Sequence, residues 1–238
     1  MRPVVRLLHT SDIHVAGDDV SAGALRAVVD AALESDVDLV LIAGDLFDHA
    51  RLADEVLDRT LDELARLDRP AIVIPGNHDC VEAPSIWQRV NLAAAGDHVR
   101  FAGDPAGERV LFEDLALAVW ARGIERHEPR HRPLDGYVSA DPGYWDVVVT
   151  HGHYVPSGEV SDRSSPITQD EIGQLGCDYL ALGHWHHFLD VSEGGVTAFY
   201  PGSPSESRGE SSTVNVVTLD PEKGVAVERR PLAVQTRR

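Results

Sequence analysis

Apolar residues recur along the chain in short blocks, and each block runs into a cluster of polar side chains. Residues 4–9, 39–43 and 71–74 are largely Val, Leu, Ile and Ala and are too short for helices. Between them, segments 24–34 and 54–67 carry apolar positions three and four apart. Leu25, Val28, Val29, Ala32 and Leu33 share one face, and Val56, Leu57, Leu61 and Leu64 share another. Strands alternating with helices predict a parallel α/β sheet at the N-terminal end. Residues 84–95 predict a third helix stopped by Gly96, and 109–112 with 115–121 predict a strand pair around Glu113-Asp114. Two further buried strands follow at 146–149 and 179–182. Between them Thr168-Gln169-Asp170-Glu171 resembles a capping box opening a short helix that stops at Gly176. The remainder, with turns at Gly194-Gly195 and Glu222-Lys223-Gly224, reads as an antiparallel set. No repeat or linker divides the chain, and one domain is expected over 1–238.

The polar clusters carry the chemistry. Five strand ends are followed by Asp12/His14, Asp45/Asp48, Asn77/His78/Asp79, His151/His153 and His184/His186/His187. Taken alone, Pro75-Gly76-Asn77-His78-Asp79 could be an ordinary turn, since Gly, Asn and Asp favour turns. Five such clusters are another matter, because parallel sheets bind ligands beyond the carboxyl ends of their strands. Carboxylate, amide and imidazole donors without thiolate suit Mn, Fe or Zn. There are too many for one ion, so two are expected, with a carboxylate shared between them. His9 lies on a strand and is expected in the core; His153 and His187 are each overshadowed by a better-placed neighbour.

Charge narrows the partners. The 238 residues hold 39 acidic and 21 basic side chains, a formal charge of −18, which argues against a bare nucleic-acid binder. Bound cations would reverse the potential inside an acidic cleft. The most basic stretch, 122–141, holds Arg122, Arg126, His127, Arg130, His131 and Arg132, and is expected as a solvated loop whose charges satisfy nearby acids. With the loop at 154–166 it is expected to shape the substrate pocket. Two cysteines, Cys80 and Cys177, form no disulfide framework, and no signal-peptide pattern or membrane-length apolar run is found. A cytoplasmic location without membrane attachment is expected.

Asp12-Ile13-His14, Gly44-Asp45-Leu46-Phe47-Asp48, Gly76-Asn77-His78-Asp79, Thr150-His151-Gly152-His153 and Gly183-His184-Trp185-His186 occur in the order found in calcineurin-like metallophosphoesterases, and the chain resembles that family. Within it, His9-Thr10-Ser11-Asp12, Leu182-Gly183-His184-Trp185-His186, and Tyr200-Pro201-Gly202-Ser203 followed by Gly209-Glu210 are most similar to the nuclease subunit of double-strand-break repair complexes. The resemblance implies an α/β, four-layer αββα sandwich: two mixed sheets face to face with helices outside. It implies two divalent metal ions, Mn favoured over Fe, Zn, Co or Ni. Asp12, His14 and His186 would hold one, Asn77, His151 and His184 the other, and Asp45 would bridge them. A water activated between them would attack phosphorus in line. His78 would be catalytic, with Asp48 and Asp79 orienting the ligands or His78; Asp79 could equally cap the next turn. The expected activity is hydrolysis of a phosphate ester, a phosphodiester above all, with nucleotides and nucleic acid among the candidate substrates and a homodimer left open. The alternatives are a DNA nuclease acting with an ATPase partner, and a non-catalytic scaffold, which the intact ligand positions disfavour. The 52 residues after His186 (238 − 186) leave little room for a DNA-capping domain, so nuclease activity is expected less firmly than nuclease ancestry.

Overall fold

The computed structural model describes residues 2–205 and 212–234. Strands β1 (Val5–Thr10), β2 (Leu39–Ala43), β3 (Ala71–Ile74) and β4 (Val99–Phe101) lie side by side and parallel. Helix α1 (Asp19–Glu34) connects β1 to β2, and α2 (Asp54–Leu64) connects β2 to β3. The Asp18 carboxylate starts α1 by accepting from the backbone N–H groups of Val20 and Ser21. A second sheet is built from β5 (Glu108–Phe112), β6 (Leu117–Arg122) and β7 (Trp145–His151). After the small pair β8 (His153–Val155) and β9 (Pro166–Thr168) comes α3 (Gln169–Leu175), opened by the expected capping box at Thr168 and closed by Gly176. Strands β10 (Tyr179–Gly183), β11 (Phe188–Asp190) and β12 (Thr197–Pro201) complete the second sheet, in the order β11-β12-β10-β7-β6-β5. Finally β13 (Thr213–Asp220) and β14 (Gly224–Pro231) form a hairpin that returns to the first sheet, in the order β14-β13-β1-β2-β3-β4.

The alternation of side chains along each strand separates three cores. Leu39, Leu41 and Ala43 of β2 face the second sheet with Val5, Leu7, Ile72 and Ile74, meeting Leu117, Val119, Val147, Val149 and Ala181. The intervening Val40 and Ile42, with Leu8 and Val73, point the other way onto Leu25, Val28, Leu57 and Leu64 of the helices. In the second sheet, Val148, Leu180 and Leu182 face outward onto Ile172 of α3. Each fully buried Val, Leu or Ile contributes about 1.5–3 kcal/mol relative to exposure, so the continuous apolar runs are what hold the layers together. The αββα expectation holds, although the outer layer on the second sheet is thin: among the described residues its α-helix, α3, has 7 residues.

Three expectations need correction. Residues 84–95 form two short 3-10 turns, Ile86–Gln88 and Leu92–Ala95, and no continuous helix. The side chains of Ser85 and Asn91 accept from Trp87 N and Ala93 N, so each turn starts on its own cap. Helix α2 ends at Leu64, three residues before the expected end at Leu67. The C-terminal strands are not one antiparallel set: β12 runs parallel to β10, while β13 inserts beside β1 in the other sheet. Gly209 and Glu210 lie outside the described residues. Among the described residues no helix is long and apolar enough to cross a membrane.

Candidate metal centre

The strand ends meet where the two sheets adjoin. Loops leaving β1 and β2 continue their pairing beyond the sheet, with Asp12 N donating to Gly44 O (3.0 Å) and His14 N to Asp45 O (3.0 Å). In the second sheet Gly152 N donates to Gly183 O (3.1 Å). Four of the expected ligand positions, Asp12 (φ 54°), His14 (φ 50°), Asp45 (φ 53°) and His184 (φ 118°), have left-handed backbones. Non-glycine residues reach that region at a cost, and such strain gathers at functional sites. Here it turns consecutive polar side chains inward from the strand ends.

All seven expected ligands come together. Nε2 of His14 and His186 are 3.2 Å apart, and Asp12 Oδ1 faces His186 Nε2 at 3.5 Å and His14 Nε2 at 3.9 Å. Asn77 Oδ1 lies 3.0 Å from His151 Nε2 and 2.9 Å from His184 Nδ1. Asp45 stands between the groups, with Oδ2 3.9 Å from His14 Nε2 and 3.5 Å from His151 Nε2, while its Oδ1 accepts from His78 N (2.8 Å). Asp12, Asp45, His14 and His151 are all buried.

These groups fit cations and fit poorly without them. His151 Nδ1 is 2.8 Å from the Ala43 carbonyl, which can only accept, so Nδ1 carries the proton and Nε2 presents a lone pair. That lone pair faces the Asn77 amide oxygen, another acceptor. Ligand atoms about 2.1 Å from one ion and at right angles to it are about 3 Å apart, the spacing of Asn77 Oδ1 from His151 and His184 and close to that of His14 from His186, while Asp12 stands wider. Burial pushes the Asp45 carboxyl up to about 7, and the Asp12 carboxylate adds to the effect. Burial would raise Asp12 too, but the imidazoles of His186, His151 and His14 outweigh it and hold its carboxyl well below the usual range. Burial, reinforced by His151, lowers His184 to about 3.

His78 borders the cluster. Its imidazole is 43% exposed on the side chain, enough to meet a substrate, and its Nδ1 donates to the Asp48 carbonyl (3.0 Å). The Asp48 carboxylate lies 3.4 Å from His78 Nδ1 and 3.5 Å from His14 Nδ1. His78 also offers a ring nitrogen within 4.8 Å of donor atoms of His14 and Asp45. Asp79 points elsewhere: its oxygens accept from Gly76 N (2.6 Å) and Phe47 N (3.1 Å), tying the loop after β3 to the loop after β2.

Two residues of the quoted motifs, Gly183 and Ser203, gain structural roles that the motifs did not specify. Gly183 packs so closely that a Cβ there would lie 1.9 Å from Ala43 O and 2.6 Å from His151 Nδ1, inside the hydrogen bond that sets the His151 tautomer. Ser203 Oγ donates to the Asp12 carbonyl (2.7 Å) and supports the strained turn from below. His153 is buried against the ring of His184, and its Nδ1 has no hydrogen-bond partner among the described residues. His9 is satisfied: Nε2–H donates to Leu182 O (3.1 Å) and Nδ1 accepts from the Tyr179 hydroxyl (2.8 Å). In the 122–141 loop Arg126 pairs with Glu82 (2.7 Å), whereas Arg122 and Arg132 donate to backbone carbonyls.

Two facing mixed sheets thus carry carboxylate, amide and imidazole donors on one shared rim, grouped closely enough to hold metal ions. The calcineurin-like phosphoesterase family model matches residues 5–188, and the chain belongs to that family. It is 27% identical over 228 residues to the DNA double-strand break repair protein Mre11 of Methanopyrus kandleri, covering 84% of this chain and 49% of that protein. An uncharacterized metallophosphoesterase of Bacillus subtilis, YhaO, is 29% identical over 183 residues, covering 75% and 44%. The chain thus spans about half the length of the curated relatives it matches. The crystal structure of TT1561 of Thermus thermophilus shares the fold, with a TM-score of 0.59 at 14% identity over 95% of this chain and 99% of that one.

Proposed function

We propose that the chain, as a single domain, is a phosphodiesterase using two divalent cations, with Mn²⁺ the favoured ion. The observation that carries this reading is the place of Asp45, whose Oδ2 faces His14 of one donor group and His151 of the other. Asp12, His14 and His186 would hold one ion, Asn77, His151 and His184 the other, with Asp45 shared. When bound, the ions polarise phosphoryl oxygens and lower the pKa of water toward neutrality. Two carboxylates against four positive charges leave the centre cationic, which draws in a phosphate despite the acidic surface. His78, its Nδ1 held by the Asp48 carbonyl, keeps Nε2 available to protonate the leaving oxygen or steady its charge. Asp48 orients His78 and His14; Asp79 braces the loops carrying Asp45 and Asn77. Two free cysteines, Cys80 and Cys177, fit a reducing compartment, and we place the protein in the cytoplasm.

The test is hydrolysis of an aryl phosphodiester by metal-reconstituted protein. Turnover should require added metal and stop on chelation; silence with Mn, Fe, Zn, Co and Ni alike rejects the reading. A second reading, a DNA nuclease acting with an ATPase partner, is favoured by relatives named as DNA double-strand break repair proteins. Degradation of linear DNA, alone or with an ATPase, would select it over small diesters.

A further inference from the structure

Each donor group of the centre draws on both sheets. Asp12, His14, Asp45 and Asn77 follow β1, β2 and β3 of the first sheet, whereas His151, His184 and His186 end or follow β7 and β10 of the second. Asp12 and His14 therefore meet His186 across the sheets, and Asn77 meets His151 and His184 in the same way. A slide of one sheet over the other would disturb both groups at once. The apolar side chains between the sheets attract without direction. A hydrogen bond fixes distance and angle together.

His9 supplies such bonds directly behind the centre. It continues the inner face of β1 after Val5 and Leu7, three residues before Asp12, and is fully buried. Both ring nitrogens reach β10: Nε2–H donates to Leu182 O (3.1 Å), and Nδ1 accepts from the Tyr179 hydroxyl (2.8 Å). The Tyr179 bond keeps Nδ1 bare, so the ring stays in the tautomer that donates to Leu182. Leu182 stands two residues before His184. Beyond it the strand ends touch: His184 N donates to Asp12 Oδ2 (2.9 Å), and a Cβ on Gly183 would lie 2.9 Å from Ser11 Cβ. An imidazole in an apolar layer is costly unless its hydrogen bonds are made. Here both are made, and both go to the strand that delivers His184 and His186.

We propose that His9 is a positioning residue for the metal centre, pinning β1 to β10 so that ligands from the two sheets keep their spacing around both ions. This rests on the two-cation reading of the site and is independent of which ester is cleaved.

Mn²⁺ calorimetry and the visible spectrum of Co²⁺-loaded protein read the centre without turnover. His9→Leu fills the space and removes both bonds; its Mn²⁺ Kd should rise about tenfold, the size of a lost supporting contact, and its Co²⁺ spectrum should change. His9→Gln keeps an N–H for Leu182 O and should stay within about threefold of wild type. Leu7→Val, on the same buried face two residues earlier, should lower Tm and leave affinity and spectrum as they were. If His9→Leu fails to fold, Tyr179→Phe takes its place: it frees only Nδ1 and should weaken binding about threefold. Wild-type affinity and spectrum in folded His9→Leu, or in Tyr179→Phe where it stands in, overturn the proposal. So does an equal loss in Leu7→Val, or a wild type that binds no Mn²⁺. A wild type that binds Mn²⁺ but hydrolyses no diester rejects the phosphodiesterase, and the shift in His9→Leu would still establish the role of His9.

Discussion

Asn77 Oδ1 and His151 Nε2 stand 3.0 Å apart, and both are acceptors. The Ala43 carbonyl takes the other nitrogen of His151, and burial lowers the imidazole's pKa, so no proton is available for Nε2. The contact is repulsive by itself and becomes attractive around a cation. Metal binding should therefore stabilise the folded chain. At a free Mn²⁺ concentration of about 100 times Kd, linkage gives about 2.7 kcal/mol, or roughly 5–10 °C in Tm for a chain of this size. Thermal melts with Mn²⁺ and with chelator check this; identical curves would show that the site binds no ion.

His78 should be separable from the metal ligands. Its Nδ1 is committed to the Asp48 carbonyl, and its ring is more exposed than those of His14, His151 and His186. His78→Gln should leave metal content unchanged and lower kcat by about 10²–10⁴, the range of a lost acid–base or charge-stabilising group. Loss of metal in that variant would instead make His78 a ligand, consistent with its approach to His14 and Asp45.

How much of this could be read in advance depended on how local the determinant was. Strands β1, β2 and β3 were legible because both their faces are buried, and the resulting apolar runs end abruptly at polar clusters. The polar clusters followed for the same reason, whereas the choice of seven ligand positions within them came from the resemblance to calcineurin-like phosphoesterases. The 84–95 segment misled because Ser85 and Asn91 cap separate turns, a competition that apolar spacing does not record. The C-terminal strands misled because the apolar pattern tells which faces are buried and says nothing of the neighbour: β12 alternates and β13 is buried almost throughout, yet neither pattern names the sheet it joins. Nor could Asp79's backbone bonds, the left-handed turns at Asp12 and Asp45, or the supporting hydroxyl of Ser203 be read from residue types.

Gly183 offers a test of tautomer control. It follows three buried apolar residues of β10, and the added methyl of Gly183→Ala would sit where Ala43 O meets His151 Nδ1. The backbone of two sheets would have to part, so destabilisation of about 1–3 kcal/mol is expected in denaturant titrations. Metal affinity should fall with it, because His151 would lose the bond that directs its lone pair inward. Wild-type affinity in a folded Gly183→Ala protein would mean that the tautomer is set elsewhere.

His9 predicts an acid dependence of stability that is set chiefly by its burial. It is buried and neutral between the sheets, satisfied by Leu182 and Tyr179, and burial lowers its pKa to about 3. The unfolded chain takes up a proton near the ordinary value of about 6.5, which the folded chain refuses until far lower pH. Above about 6.5 the contribution is fully present; as pH falls from there toward 3 it is lost at about 1.4 kcal/mol per unit. Other buried histidines, His131 among them at about 4, add slopes of the same sign, so the difference between proteins isolates His9. Metal-free His9→Gln should be less stable than wild type at pH 7.5, having lost one of two buried hydrogen bonds, yet decline less steeply between pH 6.5 and 5. Equal slopes in paired denaturant titrations would mean that His9 takes up its proton in the folded state as readily as in the unfolded one.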